Sequence, residues 1–196
     1  MLNLDNFILE KLKINSKSVL NKDEHKLGDI VEYKDIHNGK TYEAICCIPS
    51  GYLEDKKPRF IIKNQYLNNV IFDENDFDEG SGDETDINGA TNTTNIILHN
   101  DKYGVGDTAA DYVRKQYGYK AYIPAIGELI GFMDHLNELI DNYNYKLAIY
   151  GQVLISSTQY NESKIYCLKP RHNKTDYDIS HKYKQLSNDI IPFVEI

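Results

Sequence analysis

Apolar residues recur at helical spacing over one long stretch, Ile126, Leu129, Ile130, Met133, Leu136, Ile140 and Tyr143, which predicts an amphipathic helix of about five turns. Pro124 falls where that helix begins, its fixed φ and missing N–H suiting a first turn. Glu128 adds a carboxylate where the positive end of the helix dipole favours one. Upstream, Ala109, Ala110, Val113 and Tyr117 share one side of a shorter helical stretch, 107–117, with Asp107 as its N-cap and Gly118 as its stop. Segments 29–33, 41–48, 59–63, 66–72, 152–156 and 164–169 read as strands. His37-Asn38-Gly39-Lys40 suits a hairpin turn because Asn-Gly tolerates positive φ, and 158–163 suggests a second hairpin. Strands flanking two successive helices predict an α+β fold with short antiparallel sheets.

The chain ends carry their own patterns. In 1–27, Leu4, Phe7, Ile8 and Leu12 form a short amphipathic run before a polar stretch. Such an arm either docks on a neighbour or packs on its own domain. Segment 171–196 is polar and locally basic until its apolar close, Ile190, Ile191, Phe193, Val194 and Ile196. Pro192 excludes a helix there and suits a sheet edge, so the close is expected to be a strand, paired within the chain or added to a neighbouring subunit. Phe7, Ile8, Leu12, Ile191, Phe193 and Val194 are therefore the candidate subunit contacts. The organisation is an arm, 1–27, a main domain, 28–170, and a C-terminal extension, 171–196.

Composition narrows the function. The 196 residues are enough for a sizeable core, and 41% apolar with 27% charged residues is ordinary for a globular chain. A net charge of -8 argues against a general nucleic-acid binder, since phosphate affinity needs clustered Lys and Arg. No apolar run is long enough to span a membrane. Residues 1–20 mix Asp5, Glu10, Lys11 and Lys13 among the apolar positions, so no export signal is expected. Cys46 and Cys47 are adjacent and would point to opposite faces of a strand, which makes a shared tetrahedral site awkward. With Cys167 they read as buried reduced thiols, a metal or redox role being the alternative, and folding in a reducing cytoplasm follows.

Chemistry-bearing motifs are sparse. The six His are scattered without ligand spacing, Ser156-Ser157 lacks the Gly-x-Ser-x-Gly elbow, and Gly104-Val105-Gly106 lacks the rest of a phosphate loop. Segment 73–86 has eight carboxylates in fourteen residues, an oxygen-rich composition that suits calcium. The EF-hand register fails, however, because Gly80 takes a ligand position, Ser81 the glycine position and Ile87 the twelfth. A solvated loop, a partner-contacting loop and a cation site are the readings. No catalytic residue, cofactor or metal ligand is expected, and the chain is not read as an enzyme.

Asn88-Gly89-x-x-Asn92-Thr93, Ala109-Ala110-x-Tyr112, Tyr122-x-Pro124-x-x-Gly127-Glu128-Leu129 and Ser156-Ser157-Thr158-x-Tyr160, in that order, resemble a C-type-lectin-like domain. The variant is the one found in Bacteroidetes surface proteins and their phages, with Leu-Pro-Ser-x-x-Glu-Leu and Ser-Ser-Thr motifs. The likeness runs roughly over 41–169. Tryptophans usual in that signature are absent, Ala121-Tyr122 and Leu154-Ile155 standing in their places, and the family's calcium signatures are absent too. The stretch 7–18 is also similar to N-terminal pieces of crAss-like phage virion proteins. The resemblance implies a structural virion protein of a tailed phage, folded in the host cytoplasm and built into a tail, collar ring or capsid-associated position. Its partners would be other virion proteins and further copies of itself in a ring. The alternative it implies is a glycan- or receptor-binding module without calcium, with Tyr122 and Tyr160 as candidate ligand contacts.

Overall fold

A computed structural model describes residues 24–36, 39–73, 83–104, 107–146, 149–171 and 176–196. Side-chain alternation along β2 (Thr41–Ile48) sends Ile45 and Cys47 into one apolar cluster and Ala44 and Cys46 into another. β3 (Arg59–Ile62) divides Ile61 from Phe60 and Ile62 in the same way. Strands buried on both faces need helices on both faces. α3 (Ile126–Tyr143) supplies Leu129, Phe132, Met133, Leu136 and Leu139 to the first cluster. α1 (Gly89–Tyr103) and α2 (Ala109–Tyr117) supply Ile96, Ala109, Ala110, Val113 and Tyr117 to the second.

The strands form two sheets. One is ordered β1 (Ile30–Lys34), β2, β3, β10 (Phe193–Val194), β5 (Ala121–Tyr122), with every pair antiparallel. The other is ordered β4 (Leu67–Ile71), β9 (Ser187–Ile190), β6 (Leu154–Asn161), β7 (Lys164–Pro170), β8 (Tyr177–Tyr183), antiparallel except where β6 meets β9. The fold is α+β, as expected. The described residues contain three helices, one more than the sequence pattern predicts.

The additional helix is α1. Its inward face is Asn92, Thr93, Ile96 and Asn100, a helical spacing written mostly in polar residues. Asn and Thr are weak helix formers, and a search for apolar periodicity passes over them. The buried face of α3 is also turned from the expected one. Phe132 and Leu139 are fully buried, whereas Ile130 and Ile140 are only partly covered and Tyr143 is exposed, because both β2 and the β6–β7 hairpin pack against the helix. α2 starts one residue later than predicted, and its cap is Thr108, with Asp111 accepting from the Thr108 backbone N–H at 3.0 Å and its hydroxyl at 2.8 Å. Asp107 pairs instead with Lys115.

Segment 171–196 is not an appended extension. It provides β8, β9 and β10, spread across both sheets. The closing strand is formed, but at an interior slot, where Phe193 faces Ile61 of β3 on one side and Tyr122 of β5 on the other. Ile191, Phe193 and Val194 are consequently buried in this chain's own core and are unavailable as subunit contacts, which corrects that expectation. Pro192 is tolerated because it falls between β9 and β10. Phe7, Ile8 and Leu12 lie outside the described residues, as does most of the acidic stretch.

Candidate functional site

The first backbone N–H groups of a helix have no partner within it and must find one elsewhere. In α3 two of those partners come from remote parts of the chain and one from the helix's own first turn. The Ile126 N–H donates to Thr158 Oγ1 at 3.0 Å, the Gly127 N–H to the Asp86 carbonyl at 2.8 Å, and the Ala125 N–H to Glu128 Oε2 at 2.9 Å. The Ser157 N–H reaches the Pro124 carbonyl at 2.8 Å and locks the β6 strand to the same corner.

Asp86 joins these groups. Its Oδ1 accepts from the Asn88 N–H at 2.9 Å and from Asn88 Nδ2 at 3.0 Å. Its Oδ2 accepts from Asn92 Nδ2 at 2.6 Å and from the Thr158 hydroxyl at 2.9 Å. Thr93 exchanges hydrogen bonds with the backbone of Ile123, accepting its N–H at 2.9 Å. A carboxylate holding several donors beside a helix N-terminus is well placed electrostatically. The Asn-Gly-x-x-Asn-Thr, Pro-x-x-Gly-Glu-Leu and Ser-Ser-Thr segments thus meet in one buried polar knot. The glycines serve close approach: a Cβ on Gly89 would lie 2.3 Å from Glu128 Oε2 and 2.6 Å from the Ala125 nitrogen, and one on Gly127 would lie 2.7 Å from the Asp86 carbonyl.

A cleft of about 430 Å³ opens beside the knot, floored by Arg59, Glu128 and Tyr122 and rimmed by His25, Lys57 and Glu195. Burial pushes the Glu128 carboxyl up to about 7, against the opposing pull of Arg59. Burial works against the Arg59 charge in turn, but Glu128, Tyr122 and Asp55 outweigh it and raise the guanidinium's pKa. A carboxyl shifted towards neutrality in a cleft has the profile of an acid or base, yet structural ion pairs shift in the same way. Here the carboxyl accepts from Arg59 Nε, the Tyr122 hydroxyl and the Ala125 N–H. Arg59 is equally engaged, with Asp55 Oδ2 at 2.8 Å, the Lys57 carbonyl at 3.1 Å and the Ile87 carbonyl at 3.2 Å. Both side chains are thereby committed to holding α3, β3 and the start of α1 together.

Tyr122, expected as a ligand contact, is buried with its ring 5.9 Å from Phe193, so it supports the cleft floor and presents no surface. Tyr160 is 45% exposed and stacks on His181 at 3.7 Å, with the Tyr166 ring edge-on to both. Cys46, Cys47 and Cys167 are free, buried thiols, and burial raises the pKa of each. Among the described residues, no group of three or more His, Cys, Asp or Glu could hold a metal ion. No helix of the described residues is long and apolar enough to cross a membrane. Local sequence pattern does not mark Arg59 or Asp86 as site residues. Asp86 carries a faint signal, since it directly precedes Ile87-Asn88-Gly89 and Asp favours turns and helix starts, whereas Arg59 carries none.

No protein-family profile and no curated protein matches the chain. Among solved structures it is similar to a fimbrial protein from Bacteroides ovatus, at 12% sequence identity and a TM-score of 0.57. The match covers 88% of this chain and 49% of the fimbrial protein, so the chain spans about half of its neighbour's length. At this identity the likeness concerns the fold.

Proposed function

We propose that the chain is a structural subunit: a C-type-lectin-like domain used as a rigid brick in a tailed-phage virion, with its N-terminal arm making contacts to neighbouring subunits. The observation that carries this reading is the polar knot, because the motif residues that could have formed a reactive or ligand-binding centre are spent on capping α3 and fixing the α1 and β6 corners. The C-type-lectin-like assignment draws support from the same convergence, since three of the four segments that carry the resemblance meet at one place. That a fimbrial protein has a similar fold is compatible with a load-carrying brick. The virion setting rests on the sequence resemblance, and the homo-oligomeric ring with other virion proteins as partners comes with it. Mass spectrometry of purified particles tests the setting, and deletion of residues 1–21 tests the arm. The expected result is a folded protein that no longer enters particles; normal incorporation of the truncated protein would remove the arm from the assembly.

A second reading, a glycan-binding module without calcium, is favoured by the exposed Tyr160–His181 platform, since sugar rings pack on aromatic faces. A glycan array with the wild type and Tyr160→Ala separates the two readings: saccharide binding that this substitution abolishes would support the module.

A further inference from the structure

We propose that β8 is a homodimerisation edge, on which two copies of this chain pair antiparallel about a twofold axis through Ser180 and join their sheets into one. The inference stands apart from the functional reading above.

An exposed sheet edge is a template for another strand unless it is short, bulged, or otherwise blocked. Two of the four edges are blocked, and a third is shorter than β8. β4 shifts register between Leu67 and Val70 and has Asn69 at φ +55°, β5 has two residues, and β1 has five. β8 is seven residues long and pairs with β7 without a break from Lys164↔Tyr183 to Pro170↔Tyr177. Among the described residues no strand lies on its other side.

The backbone phase shows which groups face outward. The Lys184 N–H donates to the Ser163 carbonyl at 3.1 Å, and the Arg171 N–H to the Asp176 carbonyl at 2.9 Å. Even-numbered residues of this strand therefore bond inward to β7. Because antiparallel ladders alternate, Tyr177, Ile179, His181 and Tyr183 direct their N–H and C=O groups away from the sheet.

A second copy fits because the strand is complementary to itself. With Ser180 opposite Ser180, the outward residues bond Tyr177 to Tyr183 and Ile179 to His181 of the other copy, in both directions. The same register sets Asp178, which is already paired with Arg171 of its own chain, opposite Lys182 twice, where opposite charges across a strand pair are favourable and like charges unfavourable. Shifting by two residues sets Asp176 opposite Lys182, or Asp178 opposite the buried Lys184, so opposite charges meet in each in-phase register, and only the register centred on Ser180 uses Asp178 and Lys182 together. One face of the joined sheet then carries Ile179, Tyr183 and the Tyr160–His181 stack from each copy, apolar and aromatic surface that a single copy leaves exposed. The interface is small, so a micromolar dimer is expected.

The test uses the full chain in sedimentation velocity between about 1 and 300 µM, the range that brackets micromolar affinity. Wild type should pass from monomer to dimer. Lys182→Glu and Asp178→Lys, each alone, place like charges opposite one another at both symmetric contacts and should weaken the dimer at least about tenfold. Mixed together they restore both opposite-charge pairs, and the heterodimer should return to within about threefold of wild type. Should either variant fail to fold, Ile179→Pro deletes an outward N–H that β7 does not use and should give a monomer. Hydrogen exchange on the wild type gives an independent readout, with the amides of Ile179, His181 and Tyr183 slowing as concentration rises. A monomer at every concentration, a dimer indifferent to these substitutions, failure of the mixture to recover, or protection independent of concentration would each overturn the proposal.

Discussion

Thr158→Val isolates the part played by the polar knot, because it replaces a hydroxyl by a methyl of nearly the same size at a fully buried site. The hydroxyl does two things at once: it accepts the Ile126 N–H at 3.0 Å and donates to Asp86 Oδ2 at 2.9 Å. Valine leaves the Ile126 N–H at the start of α3 without an acceptor, and a buried unsatisfied donor costs about 1–3 kcal/mol. It also removes one donor from Asp86, and a hydrogen bond to a charged group contributes about 1.5–3 kcal/mol. The Asn88 and Asn92 donors remain, so the second loss falls at the low end. The expected destabilisation is about 2.5–4.5 kcal/mol, or roughly 5–18 °C in melting temperature for a chain of this size. Urea unfolding followed by circular dichroism at pH 7 measures it, with the exposed Thr91→Val as a control expected within about 0.5 kcal/mol of wild type. A double-mutant cycle with Asp86→Ala should show coupling, since the two side chains touch. A Thr158→Val loss below about 0.5 kcal/mol, or additive behaviour in the cycle, would refute the idea that Thr158 caps α3 through this network.

Other consequences are open to the same unfolding assay. Gly89→Ala should destabilise the protein by more than about 2 kcal/mol, because the new methyl meets the Ala125 backbone nitrogen and the Ile123 carbonyl, neither of which can swing away; a neutral effect would show that the α1 start is not held this closely. Leu129→Ala, at a position with no exposed surface, should cost about 2–5 kcal/mol, and a loss typical of surface sites would contradict the packing of α3. Glu128 has its carboxyl raised from 4.5 to about 7 by burial, so the folded state holds that proton more tightly than the unfolded chain. Its contribution is fully present below about pH 4.5 and is lost as pH rises to about 7, a decline of about 3 kcal/mol. Glu128→Gln should flatten that decline, and an unchanged slope would assign it to other groups.

Much of the scaffold follows from local pattern. β2, β3, β4, α3 and the β6–β7 hairpin all appear within a few residues of where alternation, helical period and turn residues place them, because each has an apolar face that must be covered whatever it packs against. The closing strand is local too: Ile191, Phe193 and Val194 with Pro192 between them can be little else. Its place between β3 and β5 is not local, since an edge strand and an interior strand differ only in which neighbours lie on the second side. α1 escaped because its buried face is Asn92, Thr93 and Asn100, and polar residues read as inward-facing only once their partners, among them Asp86, Ile123 and Thr108, are known. The polar knot shows the same division. Asn88, Glu128 and Thr158 carry a recognisable spacing in the sequence, but that Thr158 caps a helix 32 residues upstream and that Asp86 gathers four donors depends on chain segments meeting. A hydrogen bond is short-ranged and directional, so sequence can supply its donors and acceptors while only the tertiary structure determines which of them meet.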